Sequence, residues 1–320
     1  MPQHPLQELL GRFTPDFLGR RMQLQVDYYV RVFGAGRGGP HLENMDFLFP
    51  VLDRALRLVR LRRRALRNTL SLRARENVFR LPGLPPAFDG LRLLHLSDLH
   101  LDCAAAGEGG LARPIVGWLD RAGLRFDLCL ITGDFRYKTH GSYLEVAEQM
   151  ALLMPALRCR HGVYGVLGNH DFIEEVPYLE RLGLRLLVNE AAPIRLRGKR
   201  LWLVGVDDPH FYGTHDLGRA MAPVSSGEAV IALVHSPEIA EEAARCGVSL
   251  YLAGHTHGGQ VCLPGGIPVY LDAHCPRRRA RGRWRCGAMQ GYTSAGAGCS
   301  GLLARLNCPP EVAIHVLRRD

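Results

Sequence analysis

Apolar residues recur along the chain in two rhythms. Short runs of nearly continuous apolar residues at Leu91–Ser97, Phe126–Thr132, Gly162–Leu167, Leu201–Val206, Val230–Val234 and Ser249–Ala253 predict buried strands. Between them, Leu111–Ala122, Tyr143–Leu157, Pro177–Leu182 and Glu238–Cys246 carry helical spacing. Strand and helix in alternation predict an α/β fold built in layers. Glu76–Leu81 reads as a leading strand, followed by a Pro/Gly turn over Pro82–Asp89. Val261–Leu263, Val269–Leu271 and Val312–Leu317 read as a terminal antiparallel set, and no internal repeat is visible.

The first 45 residues carry no clear pattern beyond a Gly-rich break at Gly34–Pro40, which predicts a loop. From Asp46 to Leu72 the pattern sharpens. Leu52, Leu56, Val59, Leu66 and Leu70 recur at helical spacing, interleaved with Arg54, Arg57, Arg60, Arg62, Arg63, Arg64 and Arg67. A basic amphipathic helix of this kind fits two settings. It lies in the headgroup plane of an anionic membrane, or it packs its leucines on the main domain and leaves its arginines in water. The chain accordingly divides into an N-terminal extension, residues 1–72, and a main domain, residues 73–320.

Composition narrows this picture only a little. With 320 residues, 47% of them hydrophobic, the chain holds one large domain or a medium one with an appendage. Forty Lys and Arg against 31 Asp and Glu give a net charge of +9, which suits a phosphate ester, a nucleic acid or an anionic lipid as partner. Nearly all of that charge is arginine, since Lys138 and Lys199 are the only lysines. The nine cysteines show no C-x-x-C spacing and fit a reducing compartment. No run reaches the roughly 18 apolar residues of a membrane span. Met1–Arg21 lacks the basic-then-apolar order of a signal peptide. The expected location is cytoplasmic, with peripheral contact to the inner membrane if the basic helix docks there.

The chemistry gathers where the strands end. In an open α/β sheet, ligands bind beyond the carboxyl ends of the strands. Those ends read Ser97-Asp98-Leu99-His100, Thr132-Gly133-Asp134, Gly168-Asn169-His170-Asp171, His235-Ser236-Pro237 and Gly254-His255-Thr256-His257-Gly258-Gly259-Gln260. Aspartates, histidines and one amide oxygen suit divalent Mn, Fe, Zn or Mg. In a plain core each of these groups would need its own buried partner.

In this order the D-x-H, G-D, G-N-H-D, H and G-H-x-H series resembles the calcineurin-like metallophosphoesterase superfamily. The resemblance extends to its YkuE/YaeI-like bacterial branch through Leu81–Pro85, Gly205-Val206-Asp207-Asp208 and Asn307-Cys308-Pro309-Pro310-Glu311. It covers about residue 75 to the C-terminus. It implies a four-layer α/β/β/α sandwich, with residues 1–72 as a helical extension. It also implies two divalent ions, one held by Asp98, His100, Asp134 and His257, the other by Asp134, Asn169, His235 and His255, with Asp134 bridging. His170 corresponds to the family's non-ligand histidine, which stabilises the phosphate or protonates the leaving group. The implied function is hydrolysis of a phosphoester or pyrophosphate bond. Because the branch includes a UDP-2,3-diacylglucosamine pyrophosphatase, the resemblance offers a lipid-linked substrate of the lipid A pathway as one lead within that chemistry.

Other readings stand beside this one. A nuclease or cyclic-nucleotide phosphodiesterase uses the same metals, but only Trp284 supplies an aromatic among the arginines. A non-catalytic scaffold is disfavoured because every ligand position is filled. Asp171 is expected to orient its loop rather than react, and Asp207 and Asp208 to serve turns or support the ligands. Arg136 and Lys138 are candidates to hold phosphate or to stand as solvated loop charges. Arg277–Arg285 reads as an arginine-dense loop able to cover the site.

Overall fold

The computed structural model describes residues 5–30, 48–103, 111–139 and 141–320, with the side chains of 28–30 and 48–49 left aside. The Gly34–Pro40 break falls outside the described residues. In chain order the elements begin with helices α1 (Pro5–Arg12), α2 (Pro15–Val30), α3 (Leu48–Leu58) and α4 (Arg62–Asn68). Next come β1 (Arg73–Leu81), β2 (Arg92–Leu96), α5 (Ala112–Ala122), β3 (Leu128–Ile131), α6 (Leu144–Leu153), β4 (Val163–Gly165), α7 (Val176–Arg181) and β5 (Leu184–Leu186). The second half holds β6 (Glu190–Leu196), β7 (Lys199–Gly205), α8 (Leu217–Met221), β8 (Val230–Leu233), α9 (Ala240–Arg245) and β9 (Leu250–Ala253). It closes with a short hairpin, β10 (Cys262–Leu263) and β11 (Ile267–Pro268), then β12 (Gly282–Cys286), β13 (Met289–Thr293) and β14 (Glu311–Arg319).

Two six-stranded sheets result, ordered β1-β14-β2-β3-β4-β5 and β12-β13-β9-β8-β7-β6. Strands β2 to β5 run parallel, as do β7, β8, β9 and β13. Alternation along each strand sorts side chains between two layers. Leu93, Leu128 and Leu130 of the first sheet meet Leu203, Ile231 and Leu252 of the second in a shared inner core. Leu94, Leu96, Cys129 and Ile131 face outward onto helices through Ile115, Met150 and Leu179. On the far side Val204, Ala232 and Tyr251 pack against Leu217, Ala240 and Ala243. Helices outside, two sheets within: this is the expected four-layer α/β/β/α sandwich.

Several local expectations are corrected. The helix expected from Asp46 to Leu72 is two helices, because the chain turns at Val59–Leu61 with Arg60 in the left-handed region at φ 58°. Residues 269–271 are not a strand; the short hairpin pairs Cys262 with Pro268 instead. The terminal set is not purely antiparallel, since β14 opposes β2 but runs parallel to β1. About half of the Arg277–Arg285 loop is edge strand β12, where Trp284 turns inward and packs its ring at a tilt against Tyr251, centroids 5.4 Å apart. Helices α1 and α2 and the turn between them, which carried no clear signal, sink Leu9, Leu18 and Phe13 into the core under the first sheet. All nine thiols are free. Among the described residues no helix is long and apolar enough to cross a membrane.

Candidate metal centre

Parallel strands leave their carboxyl ends on one edge, and here both sheets do so towards the same point. β2, β3 and β4 deliver Asp98, His100, Asp134, Asn169 and His170; β8 and β9 deliver His235, His255 and His257. The backbone is bent hard to do this. Asp98, His100, Asp134, His255 and His257 all occupy the left-handed region, with φ between 44° and 70°. Such conformations are costly for residues with a β-carbon and gather at functional sites. Gly254 and Gly168 are required by close approach. A β-carbon on the first would collide with the Ser97 hydroxyl and the Asp98 carboxylate, and on the second with Asp134.

Donor atoms converge. His100 Nε2 lies 3.0 Å from His257 Nε2 and 3.6 Å from Asp134 Oδ2, while His257 Nε2 lies 3.6 Å from Asp98 Oδ1. On the other flank His235 Nε2 is 3.4 Å from Asp134 Oδ2 and 2.8 Å from Asn169 Oδ1, which is 3.0 Å from His255 Nδ1. Two groups can each close on one ion: Asp98, His100 and His257, and Asp98, Asp134 and His235, with ligand atoms within 4.8 Å of one another. Asp134 lies within reach of imidazoles on both flanks.

Orientation comes from the ring nitrogens turned away from this point. His100 Nδ1–H donates to Arg136 O at 2.8 Å, and His235 Nδ1–H to Thr132 O at 2.7 Å. Each bond frees the Nε2 lone pair for a cation, the usual arrangement around metal-binding imidazoles. Asp171 accepts N–H bonds from Asp134, Phe135, Arg136 and Gly168 at 2.8 to 3.2 Å, so it fixes the two loops as expected. His170 donates Nδ1–H to Tyr137 O at 2.6 Å and keeps its far edge on the cavity.

The electrostatics fit divalent cations. Burial and the neighbouring Asp134 push the Asp98 carboxyl up to about 7, although His235 opposes them. Burial holds His100 down to about 3, so the imidazole is neutral and able to ligate. Burial would raise Asp134 too, but His235, His170 and His100 hold it well below the usual carboxylate range. Burial would lower His235, but Asp134 and Asp98 hold it well above its ordinary value, so this imidazole gives up a proton when it ligates and a cation takes over that proton's place between the two carboxylates.

Other expectations fare differently. Arg136 is buried, ion-paired to Glu175 at 3.0 Å and stacked on Phe172, so it does not face substrate. Lys138 pairs with Glu145 at 2.9 Å. Asp207 binds Arg21 at 2.9 Å, while Asp208 caps the turn by accepting from His210, Phe211 and Tyr212. In the arginine-dense segment Arg279 is drawn inward to Glu241 at 2.5 Å, and Ala280 O takes the Thr256 hydroxyl. The segment braces the His255–His257 loop from behind.

Three supporting residues escape a sequence reading. Arg21, wholly buried, donates to Asp207 and to Asp171 O at 2.9 Å, so α2 props the metal loops. Arg305 donates to His257 O at 3.1 Å and Ala295 O at 2.7 Å, with Nη2 3.1 Å from His257 Nδ1. Burial, His100 and that guanidinium together keep His257 uncharged. His210 packs its ring 4.1 Å from that of His255 and bonds Glu238 at 2.7 Å. Only Arg305 left a signal, a lone charge in the apolar run Leu302–Leu306.

Comparison with known proteins gives one consistent result. The family model for the calcineurin-like phosphoesterases matches residues 91–259. Metallophosphoesterase YkoQ of Bacillus subtilis is 27% identical over 268 residues, 78% of this chain and 88% of its own length. YkuE of the same organism is 25% identical over 252 residues, 76% and 84% of the two chains. A Danio rerio protein named a transmembrane protein with metallophosphoesterase domain is 29% identical over 254 residues. That alignment takes 74% of this chain but spans only 55% of the Danio rerio protein.

Proposed function

This chain belongs to the calcineurin-like phosphoesterases, a family of metal-dependent phosphoester hydrolases, and we propose that it cleaves a pyrophosphate in a lipid-linked substrate at an anionic membrane. Asp98, His100, Asp134 and His257 are assigned to one divalent ion; Asp134, Asn169, His235 and His255 to the other. When bound, such a pair supplies Lewis acidity to phosphoryl oxygens and acidity to a water. The observation that carries the assignment is the set of five left-handed residues, Asp98, His100, Asp134, His255 and His257, whose donor atoms lie within a few ångströms of one another or of Asn169.

The chain's own residues do the rest. Asp171 and Arg305 hold the donor loops in place before substrate arrives. His170, anchored by its Nδ1–H bond to Tyr137, presents Nε2 at the cavity floor. There it holds a phosphoryl oxygen or passes a proton to the leaving oxygen.

Substrate identity rests on two supports. The sequence resembles a branch that includes a UDP-2,3-diacylglucosamine pyrophosphatase. The outer faces of α3 and α4 expose Arg54, Arg57, Arg63, Arg64 and Arg67 beside Leu58, Val59 and Leu66, a composition that suits anionic headgroups. The test is phosphorus NMR of manganese-loaded protein given UDP-2,3-diacylglucosamine in mixed micelles beside bis-p-nitrophenyl phosphate. UMP release is expected from the first, and Asp134→Asn should lower it by more than the roughly 10–100-fold typical of losing an outer-sphere partner. Cleavage of the soluble diester alone would remove the lipid assignment, and an Asp134→Asn protein of full activity would remove the metal assignment.

A further inference from the structure

The cavity over the donors has one side, between α3 and the β10–β11 hairpin, that is not built to hold a nucleotide. Its floor is Asp134, His170, His255 and His257, and its volume is about 360 Å³. That lies within the roughly 300–1,000 Å³ of small-molecule sites. One wall is α3, through Val51, Leu52 and Ala55; the facing wall is the segment around the β10–β11 hairpin, through Val261, Val269 and Tyr270. No arginine or lysine lines it among the described residues.

The polar side chains on these walls are mostly turned away from a ligand. Gln260 donates to Ser300 O at 2.9 Å and Leu302 O at 2.7 Å, and its own oxygen accepts from Ser300 N at 2.9 Å. Thr256 donates to Ala280 O at 2.6 Å. Asp272 remains, with a buried carboxylate oxygen that has no partner. A carboxylate at that wall turns a second phosphate or a nucleotide away from this side of the cavity and leaves it to the apolar part of a lipid-linked substrate. Sugar hydroxyls placed between Val51, Leu52 and Val261 would lose water without gaining partners, a cost apolar chains do not carry.

The apolar character continues outward. Val51 is 58% exposed on one jaw and Val269 56% exposed on the other, with Leu263 and Ile267 at the hairpin also in solvent. Large apolar side chains gathered at the mouth of a reactive cavity mark a ligand entrance.

We propose that the cleft between α3 and the β10–β11 hairpin is a subsite for the apolar chain of a phosphoester whose phosphorus sits at the donors. This rests on the phosphoester reading above. The chain enters between Val51 and Val269 and lies along Leu52, Ala55, Val261 and Leu302. α3 and the hairpin are therefore specificity-determining elements, and the N-terminal section takes part in substrate choice.

The test uses p-nitrophenyl esters of methyl phosphate and octyl phosphate with manganese-loaded, full-length protein, below the concentration at which the octyl ester forms micelles. Each methylene buried is worth about three- to fourfold in affinity, so seating only two predicts a kcat/KM about tenfold higher for the octyl ester. Val51→Asn with Val269→Asn, both at exposed positions, should bring the ratio towards one by lowering the octyl rate more than the methyl rate. Ala55→Trp, which fills the cleft, should do the same. Equal rates on both esters in the wild type, or variants that slow both esters alike, would overturn the subsite. If neither ester is hydrolysed, the phosphoester reading fails by itself, and calorimetry with octyl phosphate against methyl phosphate decides the cleft. Tighter binding of the octyl compound, lost in Ala55→Trp, upholds it; equal affinities overturn it.

Discussion

The N-terminal section uses the same residue type in two opposite ways. In α1 and α2, arginines are drawn into the body of the protein: Arg12 bridges Glu180 at 2.9 Å and Glu190 at 2.5 Å, and Arg21 is fully buried against Asp207 and the ring of Tyr212. In α3 and α4, Arg54, Arg63, Arg64 and Arg67 stand in solvent while Leu56 and Ala65 face Val261 and Leu302. The first pair of helices uses arginine as a rivet. The second uses leucine as the anchor and leaves arginine in solvent. The difference teaches that a basic helix is defined by which face the protein covers, and a one-dimensional charge pattern does not record that.

The rivet is the place to break this contrast hardest. Arg21→Met removes one partner of a buried pair and leaves Asp207 uncompensated, a change that costs about 3–5 kcal/mol. Denaturant unfolding checks it. Activity should fall too, because Arg21 also donates to Asp171 O, and Asp171 holds the N–H groups of the Asp134 loop. Arg21→Met combined with Asp207→Leu should regain most of the stability, since replacing both members of a buried pair by apolar groups is often neutral. A single variant as stable as wild type would show that Arg21 is no rivet.

What the sequence disclosed follows the same division. The donor candidates Asp98 to His257 were readable because such residue types at strand ends have few other uses; the alternating runs announced a layered α/β fold, and the resemblance carried by the motifs implied the sandwich. Their supports were not readable. Arg21 meets Asp207 across 186 positions, and no local pattern marks such a partner. Its burial in fact concealed α2, because Arg21 and Gln25 occupy the inward face where a helical pattern requires apolar residues. β12 was lost for a similar reason. Arg283 and Arg285 alternate properly with the inward Trp284, but the density of arginine suggested a loop. The cleft between α3 and the hairpin joins residues more than 200 positions apart, so it exists only in the folded chain.

A second kind of buried base sharpens the contrast. His95 and His315, 3.2 Å apart between β2 and β14, carry no counter-charge: His95 is bonded to Thr132 at 2.9 Å, and Asn77 lies 3.3 Å from His315. Burial holds His95 down to about 3, and burial with the neighbouring His95 keeps His315 well below its ordinary value. In the unfolded chain both titrate near 6.5. Between pH 6.5 and 3 the unfolded state therefore binds protons that the folded state refuses, so stability is complete above that window and declines as pH falls through it. Each histidine adds a slope of up to about 1.4 kcal/mol per pH unit. Urea unfolding from pH 7 down to 5 should show the decline, and His315→Gln should flatten it by about one proton. An unchanged slope in that variant would mean that His315 charges inside the fold.

The smallest effect on stability belongs to the exposed arginines, and there the contrast is tested from its other side. Arg63→Ala, Arg64→Ala and Arg67→Ala together remove charge from one face of α4 without touching the core residue Ala65. Each should alter stability by no more than about 0.5 kcal/mol, the usual range for surface positions. Their effect should appear in sedimentation with vesicles that contain phosphatidylglycerol, where each basic residue near an anionic surface contributes about 1 kcal/mol. The triple variant should bind such vesicles roughly a hundredfold more weakly, and high salt should bring the wild type to the same level. If wild type and variant sediment alike at low salt, these arginines are solvated charge, and the membrane assignment for α4 falls while the leucine anchor on Val261 and Leu302 stands.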